Sequence, residues 1–425
     1  MKAIGIDIGT TSVCGVVVDT STGKVIKSVT KNSEAFIKTP NEWEKIQDAD
    51  KIIKLACGIL DSIIDDEVSV IGVCGQMHGI VYTDKDGNAI SNLYTWQDKR
   101  GDLPFEGSTY AKHLGSFAGY GNVTDFYNRQ NGLVPDEAVS YCTIHDYLVM
   151  KLCGLKIPVV HSSDAASFGL YDIKSGKFDY DVTFEVKDGY AIAGEYKGIP
   201  VSLAIGDNQA SVFSTLADTE DILLNVGTGS QISIVSEKIV EAENIEVRPY
   251  FDNKYLIVGA ALCGGRAYSL LKDFYLSLIK MFKETDEGEV YSVMNSLADN
   301  CGELTLNVET LFAGTRANPG KRASITNLSE QNFTPAQLTL GVLKGIAEEL
   351  KEMYNKMNEK KTGVVASGNG VRKNKALVKV FEETFGYSLK IPSHTEEAAC
   401  GAAFYAMVAS DVCKNSDVKS LIIYN

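Results

Sequence analysis

One short pattern occurs twice in this chain and constrains the fold more than any other feature. Residues 4–13 read IGIDIGTTSV and residues 223–232 read LLNVGTGSQI, so a Gly-Thr-x-Ser sequence begins at Gly9 and again at Gly227, 218 residues later. In both copies apolar, largely β-branched residues flank the glycine, which predicts two strands joined by a tight turn. The pattern therefore indicates an internal structural repeat, although two unrelated hairpin turns would give the same sequence.

The repeat predicts two domains of similar topology, an N-terminal domain at 1–217 and a C-terminal domain at 218–425. The offset between the copies is about half of the 425 residues. A chain of this length also fits two or three domains of ordinary size.

Hydrophobic periodicity gives the fold class. Short β-branched runs at 2–7, 13–19 and 24–30 predict antiparallel strands, and a 3.6-residue apolar period at 49–64 predicts a helix before a buried strand at 68–73. This β-α-β succession predicts an α/β protein with mixed sheets. Further strands are predicted at 199–205, 222–226, 231–235 and 255–261, and further helices at 266–282, 335–357, 373–385 and 396–408.

The charge and the cysteines restrict the partners and the compartment. The net charge of −14 would repel nucleic acid and anionic membranes. Nine cysteines without a C-x-x-C pair suggest neither a disulfide framework nor a zinc site, which favours a reducing cytoplasm. Asp7 and Asp19 argue against a signal peptide, and no long uncharged apolar run follows. We therefore expect a soluble cytoplasmic protein.

Both turns of the repeat are suited to binding phosphate. Glycine lets the backbone approach a ligand closely, and successive N–H groups form an anion-binding nest. The stretch 314–322 has the wrong spacing for a P-loop and ends in arginine where Ser or Thr is required. The glycines at 227–229 and 368–370 do not complete a dinucleotide-binding fingerprint.

Two aspartates follow predicted strands closely. Asp7 precedes the first phosphate turn, where it could hold Mg²⁺ through water or simply cap the turn. Asp207 follows an apolar strand and precedes a helix predicted to begin at Asn208 or Gln209. A carboxylate in that position is either functional or an N-cap.

A cluster of hydrogen-bonding and aromatic residues lies between the two phosphate turns. Gln76, Met77 and His78 follow a buried strand, and Trp96 and Asp98 follow the next one. A polyol needs this mixture of an aromatic face and polar groups. A core tryptophan and a loop histidine with ordinary partners are the alternative.

Together these segments resemble the FGGY family of carbohydrate kinases over the whole length of the chain. The resemblance implies the family's α/β, two-domain, actin/hexokinase-like (ribonuclease H-like) ATPase fold, with a mixed central sheet in each domain. Six segments occur in the family's order: a first phosphate motif at 7–11, a sugar signature at 75–79 with 96–100, a catalytic-base motif at 206–208, a second phosphate motif at 225–230, an adenosine motif at 368–374 and a small-residue helix at 398–403.

The resemblance implies an ATP-dependent kinase that phosphorylates the terminal hydroxyl of a ketose, with Mg²⁺ as cofactor. Asp207 would be the catalytic base, and Asp7 and Asp207 would hold the metal. The implied substrate-binding residues are Gln76, Met77, His78, Trp96, Asp98, Asp207 and Asn208. The implied nucleotide-binding residues are Thr10, Thr11, Gly227, Thr228, Gly229, Gly264, Gly265, Gly368, Asn369, Gly370 and Asn374.

Within the family, segments 95–98, 164–169 and 224–228 are more similar to sedoheptulose kinases than to xylulose kinases. We therefore expect sedoheptulose to be converted to sedoheptulose 7-phosphate, with xylulose or another pentulose or polyol as the alternative. One departure concerns the family's Ala-Arg-Gly element, expected after 314–316. It reads Lys-Arg-Ala at 321–323, so Ala323 replaces a glycine near the nucleotide.

A switch ATPase of the actin or Hsp70 kind is the rival from another class. Such a protein has no evident use for His78, Trp96 and Asp98, and the retained Asp207 argues against a non-catalytic sugar sensor. We expect a small-molecule sugar and ATP as partners, with neither nucleic acid nor membrane, and the chain is a candidate for homodimer formation.

Overall fold

The computed structural model describes residues 1–284, 286–315, 318 and 320–425. The chain forms two compact units, and each contains residues from more than one part of the sequence. Unit 1 comprises Met1–Ala217, Arg248–Lys254 and Glu396–Ile423. Unit 2 comprises Asp218–Val247, Tyr255–Thr395 and Tyr424–Asn425. The assignment of sugar binding to 1–217 and nucleotide binding to 218–425 stays a prediction.

Strands and helices alternate along much of the chain. The strands are β1 (Lys2–Ile8), β2 (Ser12–Asp19), β3 (Val25–Asn32), β4 (Ile46–Gln47), β5 (Val68–Gly75), β6 (Val81–Thr83), β7 (Leu93–Tyr94), β8 (Pro104–Phe105), β9 (Ser108–Thr109), β10 (Ser140–Cys142), β11 (Val159–His161), β12 (Tyr171–Asp172), β13 (Lys177–Phe178), β14 (Glu185–Lys187), β15 (Ile192–Tyr196), β16 (Ile199–Ser202), β17 (Ile205–Gly206), β18 (Asp221–Val226), β19 (Ser230–Ser236), β20 (Ile245–Pro249), β21 (Tyr255–Ala261), β22 (Asn307–Glu309), β23 (Ser324–Thr326), β24 (Gly363–Ser367) and β25 (Leu389–Lys390). The α-helices are α1 (Ala49–Ile63), α2 (Tyr110–His113), α3 (Gly121–Gln130), α4 (Ile144–Cys153), α5 (Ser162–Ser167), α6 (Asp207–Thr215), α7 (Gly265–Ile279), α8 (Glu287–Asp299), α9 (Pro335–Lys356), α10 (Asn369–Lys373), α11 (Lys375–Phe385), α12 (Glu397–Ala409) and α13 (Asn415–Ser420).

The main sheet of unit 1 has seven strands in the order β15-β16-β5-β1-β2-β3, and β17 also pairs with β5. β1, β2 and β3 form an antiparallel meander, as the sequence predicts. β5 lies parallel to β1, and β16 and β17 lie parallel to β5. The sheet is therefore mixed: its parallel pairs lie at the centre, with the antiparallel β1-β2-β3 meander on one side and the antiparallel pair of β15 and β16 on the other.

Helix α1 follows directly from its sequence. Asp48 accepts a hydrogen bond from the Lys51 N–H at 2.9 Å and so caps the helix. The apolar face that contains Ile52, Ala56 and Ile59 is buried in the core of unit 1. The 3.6-residue period in the sequence is thus confirmed as the buried face of an amphipathic helix.

Helix α12 packs in unit 1, although the sequence-based division places it with the C-terminal domain. It contacts β1, β5 and α6. Its small residues allow close backbone contact, since a Cβ atom on Gly5 would overlap Ala399 O and one on Gly72 would overlap Ala402 O. Glycines on the strands and alanines on the helix therefore allow this helix to lie unusually close to the sheet.

The main sheet of unit 2 repeats the strand pattern of unit 1. Its order is β20-β21-β19-β18-β24-β25, with β18 antiparallel to β19, β19 antiparallel to β21, and β24 parallel to β18. The turn 227–229 joins β18 to β19, as the turn 9–11 joins β1 to β2. The predicted internal repeat is therefore confirmed in the pairing of the strands.

Helix α9 is the long helix of the unit 2 core. Thr334 caps it by accepting a hydrogen bond from the Gln337 N–H at 3.3 Å, and Pro335 occupies the first turn. Its buried residues include Leu343 and Leu350, which join the apolar side chains of β18, β19 and β24.

Several predicted boundaries differ from the structure. The helix predicted at 266–282 ends at Ile279, and the strand predicted at 199–205 is divided into β16 and β17. The helix predicted at 373–385 is divided at Asn374, whose side chain accepts the Leu377 N–H and caps α11. The capping alternative for Asp207 is wrong, because α6 begins at Asp207 itself and its N-cap is a glycine.

Among the helices built from described residues, none is both long enough and apolar enough to cross a membrane.

Candidate active site

Three parallel strands of unit 1 end at one edge of the sheet, and the segments with predicted functions follow them. Ile8 of β1 pairs with Gly75 of β5, and Gly75 pairs with Gly206 of β17. The next residues are the first phosphate turn, the predicted sugar segment and Asp207, respectively. Because the carboxyl ends of neighbouring parallel strands meet at one edge, these three segments lie side by side.

The first phosphate turn is hydrogen-bonded directly to one predicted sugar-binding residue and, through Gln47, to a second. Trp96, 46% exposed, donates its Nε1–H to Thr10 Oγ1 at 3.0 Å. The Gln47 amide donates to Thr10 O at 2.6 Å and accepts from Gln76 Nε2 at 3.0 Å. Thr11 is exposed in the same turn. Gln47 was not predicted, because a glutamine at the end of a two-residue strand has no distinctive pattern.

His78 has a strained backbone and a fixed ring. Its φ angle is 75°, and its N–H donates to Ser167 Oγ at 3.1 Å. Nδ1 lies 2.8 Å from Ser167 O, so Nδ1 carries a proton and Nε2 is the acceptor of the neutral ring. The ring stacks on Tyr120 with 4.3 Å between centroids. Strain at a non-glycine residue held by such contacts is typical of functional sites.

Both carboxylate oxygens of Asp98 accept hydrogen bonds from other residues of the protein. It is 1% exposed, and its Oδ1 accepts from Arg100 Nε at 2.7 Å while Oδ2 accepts from the Lys45 N–H at 2.9 Å. The Arg100 guanidinium also lies 4.2 Å from the centre of the Tyr94 ring. These contacts hold the loop that carries Trp96, and a direct contact between Asp98 and sugar stays a prediction.

The backbone before Asp207 is held by a buried hydrogen-bond network. The Gly206 N–H donates to Ser163 Oγ at 3.1 Å, and the Ser163 N–H donates to His161 Nδ1 at 3.1 Å. Nδ1 is therefore an acceptor, so Nε2 carries the proton and donates to Gly189 O at 3.1 Å. Ser163 Oγ, 2.8 Å from Nδ1, donates to the ring in turn. Burial lowers the pKa of His161 to about 4, which keeps this network neutral.

Burial dominates the electrostatics around Asp207. It raises the pKa of Asp207, whereas His145 and Arg248 lower that pKa. Burial and, to a smaller extent, the charge of Asp207 raise the pKa of Asp7 to about 7. Fully buried His145 Nε2 lies 3.0 Å from Asp164 Oδ1, and burial and the charge of Asp207 raise the pKa of Asp164. Burial thus raises the pKa of three carboxyl groups in this region, those of Asp7, Asp164 and Asp207.

Two amide oxygens beside these groups are suited to a ligand. Gln76 Oε1 and Asn208 Oδ1 are buried, and neither has a hydrogen-bond partner among the described residues. A buried acceptor without a donor is unfavourable by about 1–3 kcal/mol, so hydroxyl groups of a bound polyol would stabilise both.

Arg248 is a further residue of this region that the sequence did not indicate. It belongs to the short segment Arg248–Lys254 of unit 1. Its Nη1 lies 3.9 Å from Met77 Sδ. No sequence motif marks it, because the segment reaches unit 1 from a distant part of the chain.

In unit 2, the second phosphate turn is fixed by the start of helix α7. The Gly265 N–H donates to Gly227 O at 3.0 Å, and the Arg266 N–H donates to Thr228 O at 2.9 Å. A Cβ atom on Gly265 would overlap Gly227 O. The glycine pair at the start of α7 is therefore required for the helix to approach the turn.

Gly229 and Gly264 come together in the same way. A Cβ atom on Gly264 would lie 2.5 Å from Gly229 C, so a larger residue cannot be accommodated without movement of the turn. On the neighbouring parallel strand, Gly368 follows β24 with a φ angle of 88° and begins the turn into α10. Two strand ends of unit 2 thus carry the predicted nucleotide residues, as the strand ends of unit 1 carry the predicted sugar residues.

A cavity of about 590 Å³ adjoins the second phosphate turn. Arg266 and Lys373 also line it, and they supply positive charge that the sequence analysis did not assign. The rings of Tyr268 and Tyr291, 5.9 Å apart between centroids, form part of its wall. The predicted nucleotide residues that line the cavity are Gly227, Thr228, Gly265, Asn369, Gly370 and Asn374.

The segment that departs from the family pattern lies just before β23. Ala323 is half-buried there, and Arg322 donates a hydrogen bond to Lys321 O at 2.8 Å. Arg316, at the end of the preceding glycine-containing stretch, lies outside the described residues.

The carboxylates fit a magnesium ion that is held partly by phosphate. No group of three or more His, Cys, Asp or Glu residues within the described ranges is arranged to bind a metal alone. Mg²⁺ commonly uses only one or two carboxylates, with water and substrate phosphates as the other ligands. The charge of Asp207 raises the pKa of Asp7, and a divalent cation beside both carboxylates would relieve this repulsion.

The sequence matches two conserved domains and several characterised proteins. Residues 2–104 match the N-terminal domain of the FGGY family of carbohydrate kinases, and residues 223–410 match its C-terminal domain. The chain is 30% identical to the sedoheptulokinase of Mus musculus, over 94% of this chain and 96% of that protein. It is 28% identical to the sedoheptulokinase of Homo sapiens with the same coverage.

Solved structures share the fold at lower sequence identity. The xylulose kinase of Rhodospirillum rubrum superimposes with a TM-score of 0.85 at 18% identity, covering 100% of this chain and 93% of that chain. The glycerol kinase of Plasmodium falciparum, solved with ADP, gives 0.80 at 20% identity and covers 99% and 92%. The two-domain actin/hexokinase-like fold is thus confirmed. With both of its conserved domains present and its curated relatives matched almost end to end, the chain belongs to the FGGY family of carbohydrate kinases.

Proposed function

We propose that this carbohydrate kinase transfers the γ-phosphoryl group of ATP to the terminal hydroxyl of a ketose, with Asp207 as the general base. The observation that carries the proposal is the common sheet edge at which the first phosphate turn, the segment 76–78 and Asp207 lie. Asp207 takes the hydroxyl proton as the sugar oxygen attacks the γ-phosphorus. A new P–O bond to the sugar forms, the bond to ADP breaks, and ADP leaves with the electron pair.

The residues of the sugar site divide into acceptors, donors and an aromatic face. Gln76 Oε1 and Asn208 Oδ1 accept hydrogen bonds from sugar hydroxyls, and His78 Nε2 does so in its neutral form. Trp96 covers the C–H surface of the sugar, as its exposed ring allows. Asp98 supports this arrangement because its hydrogen bonds hold the loop that carries Trp96.

The unit 2 cavity holds the nucleotide, with its phosphates at the backbone N–H groups of the second Gly-Thr turn. The first Gly-Thr turn, in unit 1, offers backbone N–H groups of the same kind to phosphate. Thr10 and Thr11 belong to the first turn, and Thr228 and Gly229 to the second. Arg266 and Lys373 add positive charge on the cavity wall. Asp7 and Asp207 would hold Mg²⁺, which would supply positive charge next to the phosphates.

Sedoheptulose is the ketose that we propose as substrate, with sedoheptulose 7-phosphate as product. The support is the identity to two proteins named sedoheptulokinase over nearly their full lengths. Xylulose and other pentuloses or polyols are the alternative acceptors, because structures named xylulose kinase share the fold.

The decisive experiment measures ADP release with ATP, Mg²⁺ and a panel of C5 to C7 ketoses and polyols, and identifies the product by mass spectrometry and NMR. We expect the highest kcat/KM with sedoheptulose and phosphate on the terminal oxygen. Faster turnover of xylulose would support the kinase activity and would replace sedoheptulose by xylulose as the proposed substrate. If no polyol stimulates ADP release above the rate that the protein shows without an added acceptor, the proposal fails and a switch ATPase is favoured.

We further propose a cytoplasmic homodimer. All nine cysteines lie among the described residues and none forms a disulfide, which suits a reducing compartment. Unit 2 exposes Phe274, Met281 and Phe282 on and just after α7, and exposed apolar surface of this kind is typical of interfaces. Sedimentation equilibrium of the wild type and of Phe282→Glu tests this, with a monomeric wild type as the contradicting result.

A further inference from the structure

The segment Arg248–Lys254 is fastened to the helix that carries Asp207. Gln209, two residues after Asp207 in α6, donates its Nε2–H to Pro249 O at 3.2 Å. The rings of Phe213 and Phe251 meet edge to face with 5.0 Å between centroids. The position of Arg248 is therefore set by the same helix that sets the position of Asp207.

The guanidinium of Arg248 lies beside the predicted sugar segment. Nη1 is 3.9 Å from Met77 Sδ. Met77 in turn packs on the strand end before Asp207, because a Cβ atom on Gly206 would lie 2.7 Å from Met77 Cε and 2.8 Å from Met77 Sδ. One methionine side chain thus contacts both the cation and the backbone that precedes the catalytic base.

Arg248 interacts electrostatically with Asp207 and with Tyr120. Burial lowers the pKa of the guanidinium, while Tyr120 and Asp207 raise it. Tyr120 is the residue on which the His78 ring stacks. Arg248 nevertheless keeps part of its surface accessible, so the cation lies deep in the protein and can still reach a ligand.

We propose that Arg248 is a further substrate-binding residue, which donates two hydrogen bonds to oxygen atoms of the sugar next to the hydroxyl that Asp207 deprotonates. This inference rests on the proposed function and adds a residue to its site. A guanidinium presents several N–H donors in one plane, which suits two adjacent oxygens better than the single point charge of lysine. Arg248 would therefore favour acceptors with hydroxyl groups on neighbouring carbons.

The first test compares Arg248→Met and Arg248→Lys with the wild type by isothermal titration of the best ketose and by steady-state kinetics. Methionine keeps the length of the side chain and removes the charge and the donors. We expect the sugar Kd and KM of Arg248→Met to rise about 10- to 100-fold, as loss of hydrogen bonds from a charged group implies. ATP affinity should be unchanged, and Arg248→Lys should recover part of the loss.

Lys197→Met is the matched control for the loss of one positive charge from unit 1. Lys197 lies on the surface, where it pairs with Asp61 at 2.7 Å, and its side chain is 53% exposed. We expect this variant to bind sugar and ATP as the wild type does. A thermal unfolding midpoint for each variant separates loss of binding from loss of the fold.

The second test uses an analogue of the best ketose that lacks the hydroxyl on the carbon next to the phosphorylated one. If Arg248 contacts that hydroxyl, the wild type should bind the analogue weakly, and Arg248→Met should weaken it little further. Equal losses for both sugars would show that Arg248 acts only on the fold and would overturn the inference.

The two proposals fail differently. A wild type that phosphorylates a ketose, together with an Arg248→Met variant of unchanged sugar affinity, would overturn the role of Arg248 and leave the kinase function intact. A wild type that uses no ketose would overturn the proposed function, and the role of Arg248 with it.

Discussion

The indole N–H of Trp96 donates a hydrogen bond to Thr10 Oγ1 at 3.0 Å. One residue belongs to the predicted sugar site and the other to the first phosphate turn. The contact links the loop that carries Trp96 to the turn between β1 and β2 within unit 1. A substitution at either residue should therefore alter the position of the other.

We expect Trp96→Ala to raise the sugar KM by one to two orders of magnitude, since loss of an aromatic contact surface is worth about 1–3 kcal/mol. Slow ATP hydrolysis without sugar should persist. Trp96→Phe keeps an aromatic ring and removes the donor, so its effect and that of Thr10→Val should be less than additive. Kinetics of the two single variants and the double variant measure this coupling, and full additivity would contradict it.

Asp207→Asn should retain sugar binding, and its kcat should fall at least about a hundredfold. General-base catalysis typically raises a reaction rate by about 10²- to 10⁴-fold. Asparagine keeps the shape of the side chain but cannot accept the proton. Titration calorimetry measures the binding, and a coupled ADP assay measures the turnover. Near-normal turnover in a folded variant would remove Asp207 from the mechanism.

The pH dependence should report the buried state of Asp207. A general base works only when it is ionised, so activity falls as pH decreases through its pKa. Burial raises the pKa of Asp207, which places the acidic limb of the kcat/KM profile above the range near pH 4 of an ordinary aspartate. Because Arg248 lowers that pKa, Arg248→Met should move the limb to still higher pH. A limb at or below pH 4 would contradict the electrostatic picture.

Gly227→Ala tests the backbone approach of the nucleotide without straining the fold. A Cβ atom there would meet no protein atom within 4 Å, whereas one on Gly229 would lie 3.0 Å from Ala261 O. We therefore expect weaker ATP binding, unchanged sugar affinity and an unchanged unfolding temperature, measured by calorimetry. Gly58→Ala, an exposed site on α1 that is equally open, is the matched control and should leave ATP affinity as it is.

Ser163 should act on catalysis through the Gly206 N–H to which it is bonded. Ser163→Ala leaves that N–H without an acceptor, so we expect kcat to fall about 10- to 100-fold, as small displacements of a catalytic group can cause. Sugar Kd should change little, and Ser163→Thr should restore activity by keeping the hydroxyl. Loss of thermal stability without a change in kcat would assign Ser163 a structural role alone.

The parts of the fold that the sequence predicts well are those with a simple period or a strong turn signal. The strands around Gly9 and Gly227 and the amphipathic helix α1 belong to this class. Helix α4 is not predicted by periodicity, because its buried residues include His145 and Asp146 and occur on every side of the helix, so apolar and polar residues do not alternate with a helical period. Its signal was the Thr143–Asp146 capping box, which fixes the start of the helix.

The residues of the candidate site also divide into those that the sequence predicts and those that it does not. Asp207 and the segment 76–78 could be predicted because each follows directly after an apolar strand. Gln47, Ser163 and Arg248 could not, because each reaches the site through a contact with a residue far away in sequence. Long-range hydrogen bonds of single polar residues leave no periodic trace in one chain, and only the tertiary fold brings them together.

The arrangement of strand ends in unit 1 has an evolutionary consequence. Each chemical task that we propose belongs to a separate short connection, and the sheet is stabilised by its own buried apolar residues. A substitution in the sugar segment can therefore alter the preferred acceptor while the register of β1, β5 and β17 keeps the base and the phosphate turn in place. Such modularity would let one scaffold acquire new substrates through a few point changes, without rebuilding its phosphoryl-transfer machinery.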